Sequence, residues 1–251
     1  MKISVAWMSS ASIALLATVA LAQVQHPEAM SLLGRQLFTE RPKGDAAVKA
    51  EQDIERARAA FEKDPTNADA AYVLGQADEA GGRLLDAIDA YTLAIEKHPD
   101  DQRLLFARGR LLILIRKFDI ALRDLRSTAA SAIPEARCRA AFATYLKGEF
   151  GNARDAFKKD CPASPWGAVA AARADRSTPP QPPSDDELVR SYYSALGPLI
   201  TKDTPHARDQ LKKIVDKQSK RWTDDAYIAA EADLARLPKS RGKHTKKSGS
   251  N

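Results

Sequence analysis

The chain has 251 residues, of which 44% are hydrophobic, 29% charged and 6% aromatic. This is a globular composition, and it excludes a collagen-like, a low-complexity or a multi-span membrane protein. The formal charge of +6 belongs to the ends: Lys239, Arg241, Lys243, Lys246 and Lys247 in "KSRGKHTKKSGSN" carry five of the six, and Lys2 the sixth. A body with no net charge gives no reason to expect a specific nucleic acid as partner.

Residues 1–22 read as a secretory signal peptide. Lys2 precedes an apolar run from about Ala11 to Leu21, and Ala20-Leu21-Ala22 supplies an A-x-A cleavage site before Gln23. The competing reading is a retained membrane anchor, because the run approaches spanning length. No later segment does, so the chain is expected to be periplasmic or secreted, with no transmembrane segment after cleavage. In an oxidising compartment an even cysteine count favours pairing, and the mature chain has Cys138 and Cys161. Residues 23–47 are a lead-in. Its Leu32, Leu33, Leu37 and Phe38 are expected to pack on the open end of the first helical unit; a partner-binding arm is the alternative.

Residues 48–175 carry helical periodicity. In "AYVLGQADEAGGRLLDAIDAYTLAIEKHPDD", residues 71–101, the fixed points are Gly75, Gly82, Leu84, Ala87, Tyr91, Ala94 and Pro99. A shift of 34 residues carries Gly75 onto Gly109, Leu84 onto Phe118, Ala87 onto Ala121 and Tyr91 onto Leu125. A third copy, at a spacing two residues shorter, sets Ala141, Gly148, Phe150, Ala153 and Phe157 at the same points. Upstream, Ala60 and Pro65 in "ERARAAFEKDP" match Ala94 and Pro99 and predict the second helix of a degenerate first unit. Small residues at fixed points let antiparallel helices approach closely, and the aromatic or leucine fills the space between units. Glycine ends the first helix in a left-handed conformation, and proline resets the chain. One such pair cannot bury its apolar face alone, so the pairs must stack.

This pattern resembles the tetratricopeptide repeat (TPR) over roughly residues 48–162. The resemblance implies an all-α solenoid of about three to four helix–turn–helix repeats over 48–175. In that family the concave surface is built mainly from the first helix of each pair. The positions that meet a ligand there correspond to Asp69, Tyr72, Gln76 and Glu79, then Arg103, Phe106, Arg110, Ile113 and Leu114, then Glu135, Cys138, Phe142 and Tyr145. Of these, Tyr72, Gln76, Arg103, Phe106, Arg110, Ile113, Phe142 and Tyr145 form the expected partner-binding groove, since aromatic and Arg groups are common anchors. An equal alternative is that Ile113 and Leu114 are covered by the chain's own C-terminal helices or lead-in. The members that clamp chaperone tails need Asn and Lys where this chain has Gln76, Ala107 and Glu135; only Arg139 is compatible, so that kind of acidic-tail recognition is not expected. In the repeat register Cys138 lies near the start of a first helix and Cys161 at the end of its partner. Antiparallel helices bring those ends together, so a disulfide is expected.

Beyond Cys161, Ser164 and Pro165 signal a further helix, with Trp166 at the large position of a fourth first helix. The proline-rich stretch 176–184 reads as a semi-rigid linker. Three helices are expected over 185–238. The first opens on a capping box of Ser184 and Glu187 and ends near Leu196. The second opens at Thr204-Pro205 and shows an apolar face of Leu211, Ile214, Val215 and Trp222. The third carries Tyr227, Ile228, Glu231, Leu234 and Leu237 on a mostly apolar face. They leave the repeat pattern and are expected to cap the end of the stack. Residues 239–251 read as a disordered basic tail, or as an arm for an anionic polymer or membrane surface.

His26, His98, His206 and His244 are scattered without metal spacing. There is no P-loop, GxSxG or GxGxxG. No cofactor, metal or catalytic residue is expected. The leading reading is a non-enzymatic exported scaffold that binds an unknown protein or peptide in the concave groove. The alternative is a cell-envelope protein retained on an anionic polymer or membrane surface by its basic tail.

Overall fold

The computed structural model describes residues 26–129 and 133–239. The expected signal peptide, 1–22, and all of the expected basic tail 239–251 except Lys239 lie outside the described residues. Two short strands, β1 (Ala29–Met30) and β2 (Gln36–Leu37), pair antiparallel. The helices that follow are α1 (Asp45–Lys63), α2 (Ala68–Ala80), α3 (Leu84–Lys97), α4 (Gln102–Leu114), α5 (Phe118–Ala129), α6 (Pro134–Leu146), α7 (Phe150–Asp160) and α8 (Pro165–Asp175). After the proline-rich connection come α9 (Glu187–Ile200), α10 (Thr204–Lys217) and α11 (Asp225–Arg236). From α1 to α10 each helix packs on the next, and the result is an all-α, solenoid-like stack of helix hairpins.

The hairpins repeat in detail. The turns after α2, α4 and α6 each place one residue in the left-handed region at the same point: Gly82 (φ 74°), Arg116 (φ 65°) and Gly148 (φ 84°). Ala87, Ala121 and Ala153, one on each second helix, have no exposed surface. Gly75 on α2 lies against the Tyr91 ring of α3, where a methyl group would overlap it. A Cβ on Gly109 of α4 would stand 2.8 Å from Leu125 Cγ of α5, inside van der Waals contact. Glycine at these points therefore sets helix separation, and the aromatic or leucine opposite uses the space gained. Each buried Tyr91, Leu125 or Phe157 contributes on the order of 2 kcal/mol of apolar burial.

Polar side chains set the helix starts. Asn67 accepts the N–H groups of Asp69 and Ala70 ahead of α2, and Asp101 those of Arg103 and Leu104 ahead of α4. Ahead of α9 the cap is Asp186, whose Oδ1 accepts from Val189 N–H at 3.1 Å. The expected Ser184–Glu187 box does not form, and α9 continues to Ile200 through Pro198. Asp186 is the better acceptor because it is charged at the positive end of the helix. Cys138 of α6 and Cys161 at the end of α7 form the expected disulfide, with Cα atoms 5.6 Å apart.

The lead-in departs from its expected place. It does not cover the open end of the first unit; it forms a hairpin clasp between the α2–α3 turn and the C-terminal helices. Ser31 Oγ accepts from Leu33 and Arg35 N–H, and Gly34 is left-handed (φ 77°), which reverses the chain. On one side Glu28 accepts the Leu85 N–H at 3.0 Å, and Thr39 donates to the Gly82 carbonyl at 2.5 Å. On the other, Arg35 donates to Asp216 at 2.6 Å, and Trp222 Nε1 donates to the Phe38 carbonyl at 2.8 Å. The Leu85 N–H and the Gly82 carbonyl are open groups where one helix ends and the next begins, while on the other side the partners are the Asp216 carboxylate and the Trp222 indole. Ala29 and Leu37 join the core and Leu33 packs against it, while Leu32 and Phe38 stay exposed, so the clasp is held by a small apolar face together with these polar bonds.

One carboxylate is buried without its full set of partners. Asp78 of α2 is 1% exposed, and its Oδ1 has no hydrogen-bond partner. Burial, with Asp86 nearby, pushes its pKa up to about 6.

Candidate functional site: the concave face

The first helices α2, α4 and α6 stand side by side and present one face. At its N-terminal half the face is open. Tyr72, Gln76, Glu79, Tyr91, Phe106 and Arg110 line a cleft of about 380 Å³. Tyr72 and Tyr91 lie with ring centroids 6.1 Å apart, and the Arg103 guanidinium sits 5.5 Å from the Tyr72 ring centroid. Arg103 also bonds Asp69 and Asp101 at 2.8 Å, which fixes it at the rim. Deeper in, Glu79 accepts from the Tyr91 hydroxyl at 2.8 Å and from Arg110. Burial, then the Glu79 charge, pushes the Tyr91 phenol far above its ordinary range, so it acts as a fixed donor. The cleft continues past Glu79 and Ala80 into a depression of about 510 Å³, walled by the clasp and Trp222. Four expected groove residues, Tyr72, Gln76, Phe106 and Arg110, therefore do meet, with Arg103 beside them.

The C-terminal half of the face is closed. Ile113 is 1% exposed, Phe142 2% and Tyr145 0%, so these three are core residues and not groove residues. The cause is the C-terminal unit, which covers the row of first helices instead of only capping its end. Helix α11 is fastened to three of them: Asp225 to Arg139 of α6 at 2.9 Å, Glu231 to Arg116 after α4 at 2.8 Å, and Asp233 to Arg173 of α8 at 2.8 Å. Phe142 packs on Trp166 of α8, centroids 4.6 Å apart. The Tyr145 hydroxyl meets the Tyr192 hydroxyl at 2.5 Å, and Tyr192 donates to Asp233 at 2.8 Å. Burial raises both phenols well above the usual tyrosine range. Desolvation also raises Asp225, against the pull of Arg139.

The residue that sequence reasoning missed is Arg116. It occupies the left-handed turn position held by glycine in the other two hairpins, a conformation that costs a non-glycine residue on the order of 1 kcal/mol. Its guanidinium is 2% exposed, donates to Glu231 and to the Trp222 carbonyl, and lies 5.5 Å from the Trp222 ring centroid. Glu231 also accepts the Leu32 N–H of the clasp. One ion pair thus ties together the repeat stack, α11 and the lead-in. The signal was present twice in the sequence: an arginine where the pattern wants glycine, and a glutamate on the apolar stripe of α11.

Among the described residues no three His, Cys, Asp or Glu side chains converge to hold a metal ion. No helix there is long and apolar enough to cross a membrane. No protein-family model matches the chain, and no curated protein does.

Proposed function

We propose that this chain is a non-enzymatic, exported TPR-type binding protein that holds a protein or peptide partner in the open half of its concave face. The observation that carries the reading is the open cleft itself. Tyr72, Phe106 and Arg110 supply aromatic and guanidinium anchors beside exposed Gln76. The repeated hairpins and their left-handed turns support the family reading, and the disulfide supports an oxidising compartment, the periplasm or the exterior. The partner meets Tyr72 and Phe106 with an apolar group, while Arg110 and Arg103 orient its polar groups.

The test is photocrosslinking in intact cells with a photoreactive residue at Gln76. The reading expects one dominant crosslinked protein, lost when Tyr72→Ala and Arg110→Ala are added. Crosslinks confined to this chain, or capture that survives both substitutions, would reject it. Retention by the basic tail is the rival reading, and deleting 240–251 separates the two: it leaves groove capture intact and abolishes only tail-dependent envelope retention.

A further inference from the structure

On the far side of the C-terminal unit lies a second cavity, of about 350 Å³, which the groove does not involve. It opens where the start of α7, the end of α8, the α9–α10 turn and the end of α11 meet. Its walls are apolar: Phe150, Pro198, Leu199 and Leu237. Its charged groups are three cations, Arg173, Lys202 and Arg236, and one anion, Asp233. Asp233 is fully buried and already engaged, accepting from Tyr192 and Arg173 at 2.8 Å and from Arg236 at 2.6 Å. One carboxylate thus serves two guanidiniums, and Lys202 adds a third positive charge at the rim.

Arg173 is the informative group. Its side chain is nine-tenths buried, at 10% exposure. It lies 4.2 Å from the Phe150 ring centroid, which fixes its plane. Only Nη1 is engaged, with Asp233; the remaining N–H groups of this fork have no protein acceptor among the described residues. A guanidinium held from one side by Asp233, with its unused donors accessible at the wall of an apolar cavity, is a site for a planar anion that takes two parallel N–H bonds.

We infer that this cavity binds a small organic carboxylate with an apolar body, the carboxylate on Arg173 and the body against Phe150, Leu199 and Leu237. The volume suits a ligand of roughly a dozen non-hydrogen atoms, taking about 30 Å³ for each water displaced. Inorganic phosphate satisfies the guanidinium but leaves the apolar walls wet. Beyond Pro238 at the rim, the sequence has five basic side chains and no acidic one, so it offers no side-chain carboxylate for this site.

The probe is 4-phenylbutyrate, titrated calorimetrically into the full mature chain, with 4-phenylbutyramide and inorganic phosphate as comparisons. The acid is expected to bind saturably and the isosteric amide at least about tenfold more weakly, since a charge-assisted pair is lost. Phosphate should fail to compete. Arg173→Met should weaken the acid by about tenfold or more and leave the amide unchanged. Lys202 takes the left-handed position of the α9–α10 turn with its backbone, and its exposed side chain makes no ion pair among the described residues, so Lys202→Gln should weaken the acid by roughly threefold, with the effect vanishing at high salt. Equal binding of acid and amide, displacement by phosphate, no saturable heat with the acid, or unchanged affinity in Lys202→Gln at low salt would each overturn the inference.

Discussion

The two halves of the concave face are built from the same kind of helix and differ in what lies over them. At α2 and α4 the aromatics Tyr72 and Phe106 stay partly exposed beside salt-bridged Arg103 and Arg110. At α6 and α8 the aromatics Phe142, Tyr145 and Trp166 stack into a cluster with Tyr192 beneath α11. The difference teaches that the surface of a repeat stack is not available by position alone. Here the chain fills half of its own groove, and ion pairs mark where the filling stops: Arg116, Arg139 and Arg173 each meet an acid on α11, whereas Arg103 and Arg110 of α4 meet Asp69 and Glu79 of α2, the neighbouring first helix.

The comparison is broken most severely at Glu231. Replacing it with Ala leaves Arg116 buried and uncompensated, and urea unfolding is expected to show a loss of about 3–5 kcal/mol. Arg116→Gly added to Glu231→Ala should recover part of this, because glycine takes a φ of 65° without strain. If the single Glu231→Ala variant is as stable as the parent, the ion pair does not fasten α11.

Reducing the Cys138–Cys161 disulfide is next in size. It closes a loop with a sequence separation of 23, and its loss should cost about 3 kcal/mol, read as a lower urea midpoint with dithiothreitol. The loss should fall on the closed half, with slower change at α2 and α4 in hydrogen exchange.

Asp78 gives a pH signature. Its folded pKa of about 6 lies above the ordinary aspartate value, so the folded state holds the proton more tightly than the unfolded one. The stability it contributes is full below about pH 4 and is lost as pH rises through 6. Asp78→Asn should flatten the stability profile between pH 4 and 6, and at pH 7.5 it should raise Tm and add at most about 3 kcal/mol of stability. A variant with an unchanged profile would show that water reaches the carboxylate.

The open half should respond least. Gln76→Ala and Arg103→Ala are exposed changes and should alter stability by no more than about 0.5 kcal/mol, while weakening partner capture. A large destabilisation by either would mean that the cleft is a structural seam.

The repeat hairpins were legible because their signal is local. Small residues at Ala87, Ala121 and Ala153, and a large residue sixteen positions after Gly75 and Gly109, recur at spacings that sequence alone displays. The disulfide was legible for the same reason, since antiparallel register links Cys138 to Cys161. The filled groove was not, because it depends on pairs far apart in the chain: Arg116 with Glu231, Tyr145 with Tyr192, Arg173 with Asp233. Periodicity marks which face of α6 is special but not whether solvent or α11 meets it. The clasp was missed on other grounds. Of its apolar residues Leu37 is core while Leu32 and Phe38 are exposed, and its position is set by backbone groups and by Glu28, Arg35 and Thr39, which carry no periodic signal.

Hydroxyl-radical footprinting of the protein, read residue by residue by mass spectrometry, tests the half-filled groove most directly. The account predicts that Tyr72 and Phe106 oxidise readily while Phe142 and Tyr145 stay protected, and that Glu231→Ala exposes the second pair without changing the first. Comparable oxidation of all four in the unsubstituted chain would contradict it, because the groove would then be open along its whole length.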